Sequence, residues 1–147
     1  MLLTLLTLYF VLQLALPVRH YFIEGDVLWT EEGHRMSWRM MLRSRSGNLQ
    51  FRVVDKESGE GHLVNLREWL TSKQRRKVQT HPDFIWQFSQ HLKKQYAAKG
   101  KEISVFVVGE VRINRKDPAV LIDPKTDLAA EPWDPYRHHS WILPAPF

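Results

Sequence analysis

The sequence predicts an α+β protein: one N-terminal transmembrane helix, then a small antiparallel-sheet domain with packed helices and an extended, proline-rich C-terminal tail. Three observations predict it. Residues 1–18, MLLTLLTLYFVLQLALPV, carry no charge and only Thr4, Thr7 and Gln13 as polar side chains. Leu49–Val54 and Glu102–Asn114 alternate apolar and polar residues with the period of a strand. Phe84, Ile85, Phe88, Leu92 and Tyr96 recur at helical spacing. The 147 residues support one compact domain plus an anchor but hardly two domains, so the expected division is 1–18 and 19–147.

At about 1.5 Å per residue the leader spans roughly 27 Å, slightly less than the roughly 30 Å hydrocarbon core, so it reads as a helix missing its first turn. A secretory signal would open with positive charge and close on a small-residue cleavage site, and neither precedes Pro17. A buried helix of a soluble fold remains the other alternative, because short apolar runs are ambiguous by periodicity. Pro17 is expected to stop the helix, with Tyr21 and Phe22 at the bilayer interface. Ser37–Arg43 is expected to form an amphipathic helix, Trp38, Met41 and Leu42 on one face and Arg39 and Arg43 on another, ended by Gly47-Asn48.

Leu49, Phe51 and Val53 should face inward from the first strand. The turn-rich DKESGEG, residues 55–61, then returns the chain to a second strand over His62–Leu66 with Leu63 facing in. Thr71-Ser72-Lys73-Gln74 fits a capping box for a short basic helix through Val78. Thr80-His81-Pro82-Asp83 fits the same device, with proline in the first turn of a helix that ends before Gly100. Glu102–Asn114 should be the central strand, with a bulge at Gly109 and a brief pairing to Val120–Ile122. The prolines after Asp123, Glu131 and Asp134 favour a tail wrapped over the surface.

A formal charge of +5 favours acidic partners, and nucleic acid, anionic lipid and carboxylates all qualify. The lack of cysteine excludes disulfides, thiolate zinc sites and a cysteine nucleophile. Within His20–Ser46, Trp29, Trp38, Met40 and Met41 are interleaved with Arg35, Arg39, Arg43 and Arg45, and each guanidinium must stay solvated or find an acidic partner. That pattern points to a surface beside a membrane for something anionic and partly apolar. Tryptophan supplies a rigid wall and one donor, while Arg43 or Arg45 offers a fork for a carboxylate. The blander alternative has Trp38, Met40 and Met41 packing against membrane helices and the arginines meeting lipid head groups.

The histidines give no metal reading: His138 and His139 are adjacent, and adjacent residues of an extended segment face opposite ways. Asp123, Asp127 and Asp134 read as turn formers, and Lys73–Lys77 as a solvated helix face.

The order His20, Gly25, Trp29-Thr30, Ser37-Trp38, Met40-Met41, Ser44-Arg45-Ser46 resembles the vitamin K-dependent γ-glutamyl carboxylases. So do Leu121-Ile122-Asp123-Pro124, Asp127, Trp133 with Pro135, and Ser140-Trp141 with Pro144, so that the resemblance spans essentially the whole chain. It implies an extramembrane domain that follows a bundle of transmembrane helices, with residues 1–18 as the end of the last one.

Such enzymes, of carbon–carbon lyase type, deprotonate vitamin K hydroquinone or another quinol and let it react with oxygen to form a strong base. That base removes a γ-proton from glutamate, and carbon dioxide traps the carbanion. The initiating lysine lies in the upstream bundle. None of Lys56, Lys73, Lys77, Lys93, Lys94, Lys99, Lys101, Lys116 and Lys125 matches it, so the chain alone is expected to be inactive, with no residue identified for holding the quinol.

The resemblance further implies glutamate contact by Trp29, Ser37 and Trp38, to which Arg43 and Arg45 are added as carboxylate forks. His34 stands where animal carboxylases tend to have tyrosine, and Arg43 where they tend to have histidine. The expected partners are the membrane, an upstream or separately encoded bundle and a glutamate-containing substrate, and no nucleic acid. The family places this domain on the extracytoplasmic side, although Arg19, Arg35, Arg39 and Arg43 beside a helix favour the cytoplasmic face. A membrane-anchored binding domain without chemistry and a basic nucleic-acid binder are the alternative functions.

Overall fold

A computed structural model describes residues 1–39 and 41–147. Helix α1, Leu2–Val18, does not stop at Pro17. The proline lies inside it, and a 3-10 turn over Arg19–Phe22 continues the helical path. So close to the end, a missing N–H costs one hydrogen bond, and His20 Nδ1 donates to the Pro17 carbonyl at 2.8 Å to secure the junction. The 21 residues Leu2–Phe22 are long and apolar enough to cross a membrane, roughly 32 Å at ~1.5 Å per residue. Almost none of this helix is buried against the rest of the protein.

Val27–Thr30 forms the short helix α2, capped by Asp26, whose carboxylate accepts from Leu28 N at 2.9 Å. The helix expected over Ser37–Arg43 is absent among the described residues, and Met40 lies outside them. Met36, Trp38 and Met41 have φ of 63°, 55° and 55°, a left-handed backbone that no right-handed helix accommodates. Long-range pairing overrides a weak local preference: Arg39 Nε reaches His20 Nε2 at 3.1 Å, while the Arg43 fork is taken by Glu31.

The sheet has the order β2-β1-β3, all antiparallel, so β1 (Arg45–Asp55) is central and β3 (Ile103–Ile113) is not. Their pairing runs unbroken from Arg45 opposite Ile113 to Asp55 opposite Ile103. Gly109 pairs one-to-one with Leu49 and makes no bulge. Glycine is needed there for another reason: φ is +140°, and a Cβ would lie 2.1 Å from the Asn48 carbonyl oxygen. Leu49, Phe51 and Val53 of β1 face inward with Ile103, Val105, Val107, Val111 and Ile113 of β3. β2 is only Gly61–Leu63, and Leu63 is 61% exposed rather than inward, because no layer covers that edge. Leu66 already belongs to helix α3, Leu66–Trp69.

Helix α4, Ser72–Val78, opens on the expected Thr71–Gln74 capping box. Helix α5, Pro82–Ala97, does not repeat the device: its cap position is His81 and has no side-chain cap bond. Thr80 Oγ1 instead donates to the Arg76 carbonyl at 2.7 Å. Ile85, Phe88 and Leu92 of α5 are buried against the sheet, worth roughly 1.5–3 kcal/mol each, and Phe88 meets Phe51 edge to face at 5.0 Å.

The C-terminal tail is a layer of the core and not a surface wrap. Leu121, Ile122, Leu128, Trp141 and Ile142 are all buried. Its prolines prevent regular strands, yet its backbone is satisfied by an Ala119–Val111 bridge, an Ile122–Ile142 bridge and Leu128 N donating to Val105 O at 2.9 Å. Asp127 Oδ1 accepts from Val105 N and Ala129 N, fixing the turn. The pairing expected of Val120–Ile122 with β3 is made by Ala119 alone.

Candidate functional site

The site grows from α2 and the residue that ends it. Glu31 takes a left-handed conformation, φ 63°, after which Glu32 and Gly33 turn the chain back. α2 carries Trp29 into the core, where its ring is fully buried, its Nε1 donates to the Leu143 carbonyl at 2.8 Å, and Phe147 stands edge-on at 5.4 Å. Arg45, the first residue of β1, lies under α2: its Nη1 donates to the Leu28 and Trp29 carbonyls at 2.8 Å each and to Glu31 Oε1 at 3.1 Å, with the guanidinium 5.9 Å from the Trp29 ring. Arg43 forks the Glu31 carboxylate through Nε and Nη2 and gives Nη1 to His34 Nε2 at 2.7 Å. Ser37 is buried, and its hydroxyl donates to the His34 carbonyl.

Four of the five residues singled out in the sequence therefore join one connected cluster: Trp29, Ser37, Arg43 and Arg45, linked through Glu31 and His34. Trp38 stands outside it, 72% exposed. Only Trp38 presents a broad open face, since Trp29 is enclosed and both arginines already hold a carboxylate. Burial lowers the Arg45 pKa to about 10, against the opposing pull of Glu31. Burial also lowers the His34 pKa, and the neighbouring Arg43 charge adds to it, in keeping with a neutral ring that accepts from the guanidinium.

Sequence reasoning missed Glu31 as the acid the buried arginines require, although WTEEGH places it two residues after Trp29. It also missed Glu32, buried and held from the tail. Its Oε2 accepts from His138 Nδ1 at 2.6 Å, and its Oε1 from the His139 backbone and Nδ1, each at 2.8 Å. Both rings turn to one carboxylate because the chain bends here, so the opposite-face expectation fails. His139 Nε2 accepts from Asp134 N at 2.9 Å, which assigns the proton to Nδ1 and makes the ring neutral. Among the described residues no three His, Cys, Asp or Glu side chains are placed to hold a metal ion.

Beside the arginines a cleft of ≈ 280 Å³ opens between the start of β1 and the end of α4, lined by Arg43, Arg45, Arg76, Lys77, Thr80 and His81. A second cavity of ≈ 130 Å³ reaches Arg19, Glu32, Arg35, Asp83 and Trp133. Neither suits a quinol, which needs an apolar slot beside a desolvated base. The Lys101 pKa moves up, held charged by a hydrogen bond to Asp55 at the surface, the reverse of what a desolvated base needs. Neither lining therefore fits the quinol.

Over residues 1–146 the chain matches the family model described as the vitamin K-dependent gamma-carboxylase, lumenal domain. No solved structure matches it.

Proposed function

We propose a role that starts from one premise: the chain belongs to the vitamin K-dependent gamma-carboxylase lumenal-domain family. The domain serves peptidyl-glutamate carboxylation from the extracytoplasmic side, anchored by α1 beside a helical bundle that carries the proton-removing chemistry. The match over residues 1–146 carries this reading. Within the domain, Trp38 and Arg43 touch the glutamate substrate, while Trp29, Ser37 and Arg45 position them. Trp38 offers an open apolar wall. Arg43 and Arg45 share a single carboxylate, Glu31, so the cluster keeps a positive surplus that a substrate carboxylate would neutralise.

Reconstitution of the chain with the family's helical bundle tests the reading. Bicarbonate-dependent labelling of a glutamyl peptide is expected, and no incorporation by the pair would reject it. Trp38→Ala should lower kcat/KM for the peptide by about tenfold, the scale of one lost aromatic contact.

The prior engagement of Arg43 and Arg45 by Glu31 favours a second reading, an anchored binding domain without chemistry. Under it the chain binds glutamyl peptide but no reconstituted pair turns it over. Equal peptide affinity in wild type and Trp38→Ala would remove the contact role from both readings.

A further inference from the structure

We propose that the cleft between β1 and α4 is a binding site for a phosphate-class oxyanion, gripped by Arg76 and Lys77 from one side and by Arg43 and Arg45 from the other. Four fixed cations line it with Thr80 and His81. One carboxylate, Glu31, is bonded to two of them, which leaves a surplus of three positive charges.

A basic helix end is ordinarily a solvated face, and Arg76 and Lys77 alone, in the last turn of α4, would carry no more than that. Arg45 changes the balance. Its side chain is 3% exposed, and both Nε and Nη2 are buried without a hydrogen-bond partner. An unpartnered buried donor costs about 1–3 kcal/mol, more when charged, so this guanidinium at the wall of the cleft keeps a charge that Glu31 alone does not satisfy and that a nearby oxyanion would offset.

The remaining polar groups fit the same charge. Thr80 Oγ1 gives its proton to the Arg76 carbonyl, and His81 Nδ1 lies 2.7 Å from Thr80 Oγ1, so the ring donates its proton there, while burial lowers its pKa to about 4 and leaves it uncharged. The surplus therefore rests on the four cations. A single carboxylate satisfies about one of three charges, whereas a phosphate brings roughly −1.5 to −2 and three acceptor oxygens, which suits guanidinium forks opposed by a lysine. The site shares Arg43 and Arg45 with the glutamate reading, whereas Arg76 and Lys77 belong to the cleft alone, so substituting that pair separates the two.

Free phosphate and the phosphate head group of a lipid share this chemistry, and the two arms of the experiment separate them. Full-length chain in detergent is titrated with inorganic phosphate by calorimetry at constant ionic strength, against chloride. The chain is separately inserted into nanodiscs of phosphatidylcholine with and without phosphatidic acid, and lipid retention is measured by mass spectrometry.

Saturable phosphate binding weakened at least tenfold in Arg76→Ala/Lys77→Ala supports the site with a free ligand. Phosphatidic acid retention lost in the same variant, without phosphate binding, supports it with a lipid ligand. Identical behaviour of wild type and variant in both arms overturns it. If neither phosphate nor phosphatidic acid is held by either protein while both bind glutamyl peptide, the phosphate assignment falls and the substrate reading survives. A matched circular dichroism spectrum and melting curve show that the variant folds.

Discussion

Replacing Glu31 by glutamine removes the acid that two shielded guanidiniums share. The Arg45, Glu31 and Arg43 side chains are 3%, 8% and 12% exposed, so little water is available to take over solvation. Breaking a buried pair by neutralising one partner typically costs about 3–5 kcal/mol, chiefly because the remaining charge is left uncompensated. Glutamine keeps one oxygen acceptor, which places the expected loss near the lower end, about 3 kcal/mol. For a domain of this size that corresponds to a fall of roughly 6–12 °C in Tm.

The assay is urea unfolding of the full chain in detergent, followed by the fluorescence of the buried Trp29 and Trp141. Glu57→Gln, on the exposed β1–β2 turn, serves as the control and should change stability by less than about 0.5 kcal/mol. Adding Arg45→Met to Glu31→Gln should recover part of the loss, because a buried ion replaced by an apolar side chain of similar volume is often neutral or stabilising. A Glu31→Gln loss below about 1 kcal/mol would show that solvent reaches these arginines and that the cluster is not shielded.

Burial pushes the His81 pKa down from 6.5 to about 4, so the unfolded chain takes up a proton before the folded one does. Its stability contribution is whole above about pH 6.5 and is lost as pH falls towards 4. At ~1.36 kcal/mol per unit, discounted for a partly exposed ring, the loss is about 1–2 kcal/mol. Urea midpoints at pH 7 and pH 4.5 should therefore differ less in His81→Gln than in wild type, and parallel pH profiles would contradict this. Gly109→Ala is expected to cost about 3 kcal/mol or more, since its Cβ would collide with strand backbone. Gly59→Ala, at φ +73° with nothing within 4 Å, should cost only about 1 kcal/mol, and equal midpoints for the two variants would refute the steric account.

What the sequence made legible is what short-range physics controls. Alternation located β1 and β3 because alternate side chains are buried, Leu49, Phe51 and Val53 in β1 and Ile103, Val105, Val107, Val111 and Ile113 in β3. The α5 stripe and the Thr71–Gln74 box were readable because each rests on residues three or four apart along the chain. The family pattern was legible in the order of its residues across the whole chain, but their roles were not. Where partners come from far along the chain, local pattern misled. Ser37–Arg43 has helical spacing, yet its arginines are drawn to His20 and Glu31. The tail looks like surface loop by its prolines, yet it buries Leu128, Trp141 and Ile142.

The Glu31-Glu32 pair concentrates that lesson. As sequence it is two adjacent charges before a glycine, the commonest appearance of a solvated turn. In the fold the left-handed residue at the end of α2 splits them: Glu31 turns to Arg43 and Arg45 at the start of the sheet, and Glu32 to His138 and His139 in the tail, 106 and 107 residues on. Two neighbouring carboxylates thus join the segment that follows α1 to the central strand and to the C-terminal layer. Trp29, Ser37, Arg43 and Arg45 hold their positions through this junction, so under the proposed function substitutions at Glu31 or Glu32 should disturb glutamate handling without either residue touching the substrate. A Glu32→Gln chain reconstituted with the bundle separates the roles: an altered kcat/KM rescued by Glu32→Asp marks positioning, and an unchanged value would detach the tail from the site.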